Sequence, residues 1–156
     1  MLYTEEQRRI RDRSKWTIVQ AILAPAQFVV FLISLGLVIN YLVTGDGYMA
    51  ATVSIVLKTL VLYTIMITGA IWEKEVFGQY LFHKSFFWED VVSMLVLALH
   101  TAYLIGLPAG WSAETLMYTA LAAYGSYFVN AVQFLWKLKQ AKQEPTARTE
   151  AIKASA

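Results

Sequence analysis

Four stretches of this chain, about 16–42, 50–72, 88–107 and 115–138, are mainly apolar over the roughly 20 residues a helix needs to cross the hydrocarbon of a bilayer. Hydrocarbon offers no water to backbone N–H and C=O groups, so continuous runs of this length are satisfied by pairing within a helix. The predicted fold is therefore all-α: a polytopic membrane protein of four transmembrane helices in one domain, residues 1–138, with both termini cytoplasmic. At 58% hydrophobic and 14% aromatic residues, with mean hydropathy +0.50, the chain is too apolar for an ordinary soluble domain of 156 residues.

The connections define the orientation. Thr44–Tyr48 and Gly106–Glu114 are short, rich in Gly or Pro and free of Lys and Arg. Basic residues gather in the N-terminal tail (Arg8, Arg9, Arg11, Arg13, Lys15), the central connection (Lys74, Lys84) and the C-terminal tail (Lys137, Lys139, Lys142, Arg148, Lys153). The positive-inside rule places those three on the cytoplasmic face. Trp16, Trp72, Trp88, Trp111 and Trp136 fall near the predicted span ends, where indoles favour the interface. Residues 5–15 read as a short interfacial helix, and 139–156 as a loosely ordered polar tail. The first apolar run is longer than the apolar core of a signal peptide, so the N-terminus is expected to be mature.

Several function classes lose support. The chain has no cysteine, hence no thiolate nucleophile and no sulfur-based metal site. With only His83 and His100 and no paired-ligand spacing, a dedicated metal site is not expected. Phosphate-binding glycine loops and hydrolase motifs are missing too, and the modest net charge of +2, with every Lys and Arg but Lys58 in the tails or the central connection, gives nucleic acid no footprint.

What stands out is acid in and beside apolar spans. Glu73 and Glu75 end the second run while Glu89 and Asp90 begin the third, and a connection of some 15 residues returns the chain to the same side. Four carboxylates then share one neighbourhood, where crowding in a partly dry site can keep one protonated beside another that accepts a proton. Helix capping is the alternative use of Asp90 and Glu89, and a solvated pair with Lys74 that of Glu73 or Glu75. Trp72, Phe77, Tyr80, Phe82, Phe86, Phe87 and Trp88 would wall the site with aromatic rings suited to a large flat ligand, or simply form an interfacial belt.

Near the outer face, Lys58 and His100 lie at matching depths. Lys58 could snorkel toward Asp46 or meet a ligand; His100 could bond a neighbouring helix or ligate a metal. Glu89 and His100 share a helix face but are separated by about 16 Å along it. Ser126, Asn130 and Gln133 form a polar stripe on the fourth span that reads as interhelical glue.

ATVSIVLKTLVLYTIMITGAIWEKEVFG, from Ala51 to Gly78, and FFWEDVVSMLVLALHTAYL, from Phe86 to Leu104, resemble the 3-vinyl bacteriochlorophyllide hydratase family, also called 2-vinyl bacteriochlorophyllide hydratase. The opening MLYTEEQRRIRDRSKWT shares the resemblance, which runs to about Leu138. It implies addition of water to the ring 3-vinyl group of a (bacterio)chlorophyllide, giving a 1-hydroxyethyl group, in the inner membrane of a photosynthetic bacterium. No cofactor is implied, since the pigment carries its own magnesium. Beyond the pigment, the partners expected are membrane lipid and other enzymes of bacteriochlorophyll synthesis.

That chemistry needs one acid and one base. Glu89 is the leading acid, with Glu73, Asp90 or Glu75 as the partner carboxylate. His100 is a candidate axial ligand to the pigment's magnesium; Lys58, Lys74 and Lys84 are candidates for its propionate. Trp72, Trp88, Phe87 and Asn130 complete the expected contacts. A tetrapyrrole carrier and a small proton-coupled transporter remain the alternatives.

Overall fold

The computed structural model describes residues 1–156, the side chain of Ala147 excepted. It contains five helices and, among the described residues, no strand: α1 Glu5–Arg13, α2 Lys15–Thr44, α3 Tyr48–Phe77, α4 Phe87–Gly106 and α5 Ala113–Ser155. The all-helical expectation holds. Helices α2 to α5 run alternately up and down, with the most extensive packing between α2 and α3 and between α4 and α5.

Local chemistry sets the boundaries. Thr4 caps α1 through a reciprocal capping box with Gln7, and Ser14 ends α1 while its hydroxyl accepts from Trp16 N–H at the start of α2. The α2–α3 turn places Gly45 and Gly47 at φ +76° and +84°, a conformation that costs an L side chain about 1–2 kcal/mol. At the α4–α5 turn, the Trp111 ring lies directly on Gly106, and Ser112 caps α5 through Thr115 N–H.

The main core fills the half of the bundle away from the terminal segments with Phe31, Val38, Ile55, Val96, Tyr103, Leu116, Met117 and Tyr124. Polar bonds tie the helices together: Ser34 to Ser54 at 2.7 Å, Gln20 to Thr68 at 2.6 Å and Tyr63 to Thr101 at 2.6 Å. Outward faces of α2 to α4 keep large apolar side chains exposed, among them Ile33, Leu57 and Leu95, the surface a lipid environment would cover.

Two expectations are corrected. Among the described residues, three helices, not four, are both long and apolar enough to cross a membrane: α2, α3 and α4. The first half of α5 completes the bundle, but its Thr, Ser, Tyr, Asn and Gln residues dilute its apolarity. The expected loose tail is helical instead, since α5 continues to Ser155. Ala, Lys, Gln and Glu there favour helix, and Arg8–Glu144 (3.3 Å) and Arg148–Glu5 pairs bind the extension to α1. Those pairs also bring the two terminal segments to one end of the bundle.

Replacing Gly106 with Ala drives a Cβ into the Trp111 ring. The Gly106→Ala protein should lose about 1–3 kcal/mol of stability, read as a lowered thermal midpoint in detergent; an unchanged midpoint would show that the turn repacks freely.

Candidate active site

At the end of the bundle where the terminal segments meet, α3 finishes and α4 begins. Three of the four expected acids converge there: Glu73, Glu89 and Asp90 are all buried. The connection between the helices returns through Phe82, whose φ of +62° makes it the one non-glycine residue in the left-handed region among those described. This turn aims the Phe82 N–H at Asp90 Oδ2, 2.7 Å away. A strained backbone held by a buried carboxylate is a built feature, since such a conformation persists only when its surroundings repay it.

The Asp90 and Glu73 side chains face each other across the α3–α4 interface, near enough for their carboxyl groups to interact. Two carboxyl groups can hydrogen-bond to each other only if one carries a proton. Asp90 already accepts from a backbone N–H, an interaction that favours its ionised form, so Glu73 is the candidate to carry such a proton. The second Glu73 oxygen, Oε2, is buried without a hydrogen-bond donor among the described residues. Such an orphaned oxygen is costly unless a ligand or water uses it.

Glu89 sits beside this pair in a different role. Its carboxylate Oε1 lies 3.7 Å from Lys137 Nζ, which also donates to the Ser85 carbonyl at 2.6 Å. Its backbone carbonyl receives the Asn130 side-chain amide at 2.9 Å and the Ser93 hydroxyl at 2.7 Å. Asn130 thus belongs to the frame that fixes the first turn of α4, rather than to a ligand wall.

The N-terminal segment closes the site from outside. Tyr3 is buried, stacked on Phe77 with centroids 5.6 Å apart and near Phe86 at 6.3 Å, with the Arg11 guanidinium 4.6 Å over its ring. Burial raises the Tyr3 pKa, opposed by Arg11. The Leu2 carbonyl accepts from Ser85 Oγ at 2.8 Å. His83 stacks on Phe77 at 4.1 Å, where burial and then the neighbouring Lys84 lower its pKa.

The remaining expected residues lie elsewhere. Glu75 is exposed and accepts from Ser14 Oγ at 2.6 Å, a tie between α3 and the α1–α2 corner. It stands two residues from Glu73, about 200° around the helix, so both cannot face one site. Lys74 donates to the Gly78 carbonyl at 2.7 Å and caps α3. Trp72 donates to Thr17 at 2.9 Å and packs edge-on against Phe77 and Phe86. Phe87 and Trp88 point outward, 42% and 68% exposed.

Lys58 and His100 are brought together, but away from the acids. Lys58 Nζ lies 3.1 Å from His100 Nε2 and 3.9 Å from the Tyr127 ring centre, and both residues are fully buried. Lys58 therefore does not snorkel toward Asp46. His100 Nδ1 meets the Val96 carbonyl at 2.8 Å, so both ring nitrogens are occupied and neither is free for a magnesium ion. Fifteen residues of helix separate Lys58 from Glu73, roughly 22 Å. Among the described residues no group of three or more His, Asp or Glu side chains is arranged to hold a metal.

Sequence reasoning gave no site role to Lys137 or Tyr3 and named Phe82 only as a wall ring, not as a backbone donor to Asp90. Lys137 carried a faint signal as the first cation after the fourth apolar run. The other two act through a backbone conformation and a tertiary fold-back that no spacing announces.

Comparison with known proteins follows the same boundaries. A family model described as 2-vinyl bacteriochlorophyllide hydratase matches residues 3–140. A protein of Cereibacter sphaeroides called 2-vinyl bacteriochlorophyllide hydratase is 64% identical over 146 residues, covering 94% of this chain and 91% of its own. One of the same name from Rhodobacter capsulatus is 64% identical over 141 residues, covering 90% and 82%. No solved structure gives a significant match.

Because Lys58 is enclosed and remote from the acids, Lys58→Met should leave turnover within about twofold while lowering the thermal midpoint, since it strips buried His100 Nε2 of its partner. A tenfold loss of turnover would place Lys58 at the substrate.

Proposed function

This chain belongs to the 2-vinyl bacteriochlorophyllide hydratase family, and we propose that its buried Glu73–Asp90 pair is the acid–base unit that adds water to the vinyl group. The protein is a hydratase, a hydro-lyase acting on a vinyl bacteriochlorophyllide. The observation that carries the residue assignment is the carboxyl–carboxyl contact itself, since it stores a proton beside a base at one address.

The chemistry runs as follows. The Glu73 O–H gives its proton to the terminal vinyl carbon; the double-bond electrons form the new C–H bond and leave a cation on the ring-attached carbon. The conjugated macrocycle spreads that charge, and the buried carboxylates of Asp90 and Glu89 stabilise it. Water attacks the cation and its spare proton passes to Asp90. The Glu73–Asp90 hydrogen bond then returns the proton to Glu73, and the site is restored. One water is consumed and a 1-hydroxyethyl group formed, with no change of redox state and hence no demand for a redox cofactor.

This assignment exchanges the roles expected from the sequence. Glu89 is ion-paired to Lys137, an arrangement that suits a fixed carboxylate better than a proton donor. The folded-back N-terminal segment serves the mechanism by excluding bulk water, which would otherwise compete for the proton and screen the carboxylates. Setting is part of the proposal: the inner membrane, with the acidic end and both terminal segments cytoplasmic. The basic residues clustered there, together with the contact of α1 with the α5 extension, support it.

Purified protein incubated with a 3-vinyl chlorophyllide should shift its absorption to the blue and add the mass of one water, carrying heavy oxygen when the solvent does. Glu73→Gln and Asp90→Asn should each lower kcat on the order of 10²- to 10⁴-fold while pigment still binds, whereas Glu75→Gln stays within about twofold. Near-wild-type turnover by Glu73→Gln would reject the assignment.

A further inference from the structure

We propose that the polar groove between the central connection and the α5 extension seats the substrate's propionate carboxylate and selects the free acid over its esters. This rests on the hydratase reading, since the family's substrate, a bacteriochlorophyllide, is by its chemistry a pigment with an unesterified propionate. The groove is a cavity of about 690 Å³ beside the acidic site, walled by Lys84 and Ser85 on one side and Lys137, Gln140, Gln143 and Glu144 on the other. Lys137, Gln140 and Glu144 recur at three- and four-residue spacing and so share one face of α5.

The electrostatic inventory of the groove leaves a donor set without an acceptor. Glu144 is spent, accepting from Leu2 N–H and pairing with Arg8. Lys137 is spent on the Ser85 carbonyl and Glu89. Lys84 is exposed, and among the described residues neither its ammonium nor the amides of Gln140 and Gln143 has a hydrogen-bond partner. The Lys84 ammonium, with two amide donors and the Met1 amino end on the same groove, suits a single carboxylate. Position agrees with that chemistry: Ser85 and Lys137 form both the groove wall and the link to Glu89, so a carboxylate anchored here leaves its macrocycle beside the acids. The other loop lysine, Lys74, is committed to capping α3 and cannot compete for the role.

The test compares a 3-vinyl chlorophyllide as free acid and as methyl ester, using the full chain in non-ionic detergent. Wild type should show a lower KM for the acid, on the order of three- to tenfold, the size expected of a half-exposed ion pair. Lys84→Met should erase that difference with kcat held, Lys84→Arg should restore it, and Gln143→Leu should shrink it. Equal KM values for acid and ester in wild type, or a Lys84→Met change that raises both alike, as loss of a lipid or packing contact would, overturns the proposal. Failure of wild type to hydrate either substrate would instead sink the hydratase reading on which it stands.

Discussion

Two carboxyl groups from different helices are buried facing each other where α3 ends and α4 begins, and the proposed chemistry depends on their proximity. An isolated ionised carboxylate at such a place costs several kcal/mol, and two facing each other cost more. A single proton held between them removes most of that repulsion. In the proposed mechanism, what remains is a donor and an acceptor side by side, which the hydration uses in succession. The Phe82 N–H fixes the accepting end, and the strained turn at Phe82 is the backbone's contribution to holding it there.

The rest of the bundle serves this corner in separable ways. Lys137 and Asn130, both on α5, hold Glu89 by its side chain and its backbone, so the helix least suited to lipid supplies the site's supporting frame. The aromatic group of Tyr3, Trp72, Phe77 and Phe86 closes the space beneath the N-terminal segment. At the opposite end, Lys58 and His100 form a satisfied polar pair within a cage of Phe31, Tyr124 and Tyr127. That pair joins α3 to α4 as the carboxyl pair does, but its polar atoms are already partnered with each other and with the Val96 carbonyl.

Much of this was legible in the sequence because hydrocarbon is unforgiving. Apolar runs of 20 residues or more exposed α2, α3 and α4, and carboxylates at their ends pointed to the candidate site. The fourth run was overread, since Tyr, Ser and Asn residues that pack inward lower its apolarity without shortening the helix. Glu75 was overread as well, although its two-residue offset from Glu73 already placed it on another face. Lys58 and His100 were rightly set at one depth, but depth does not say that two side chains point at each other. Tyr3 was beyond reach: its place is decided by a fold-back over more than 70 residues of intervening chain, and long-range contacts of that kind leave no local periodicity.

A double-mutant cycle on turnover tests the shared proton most directly. If Glu73 and Asp90 work as one unit, the Glu73→Gln/Asp90→Asn protein should be no slower than the worse of its two single variants, because either substitution alone already breaks the relay. Losses that multiply, with the double variant slower by the product of the singles, would mean that the two carboxyls act independently and would contradict the account.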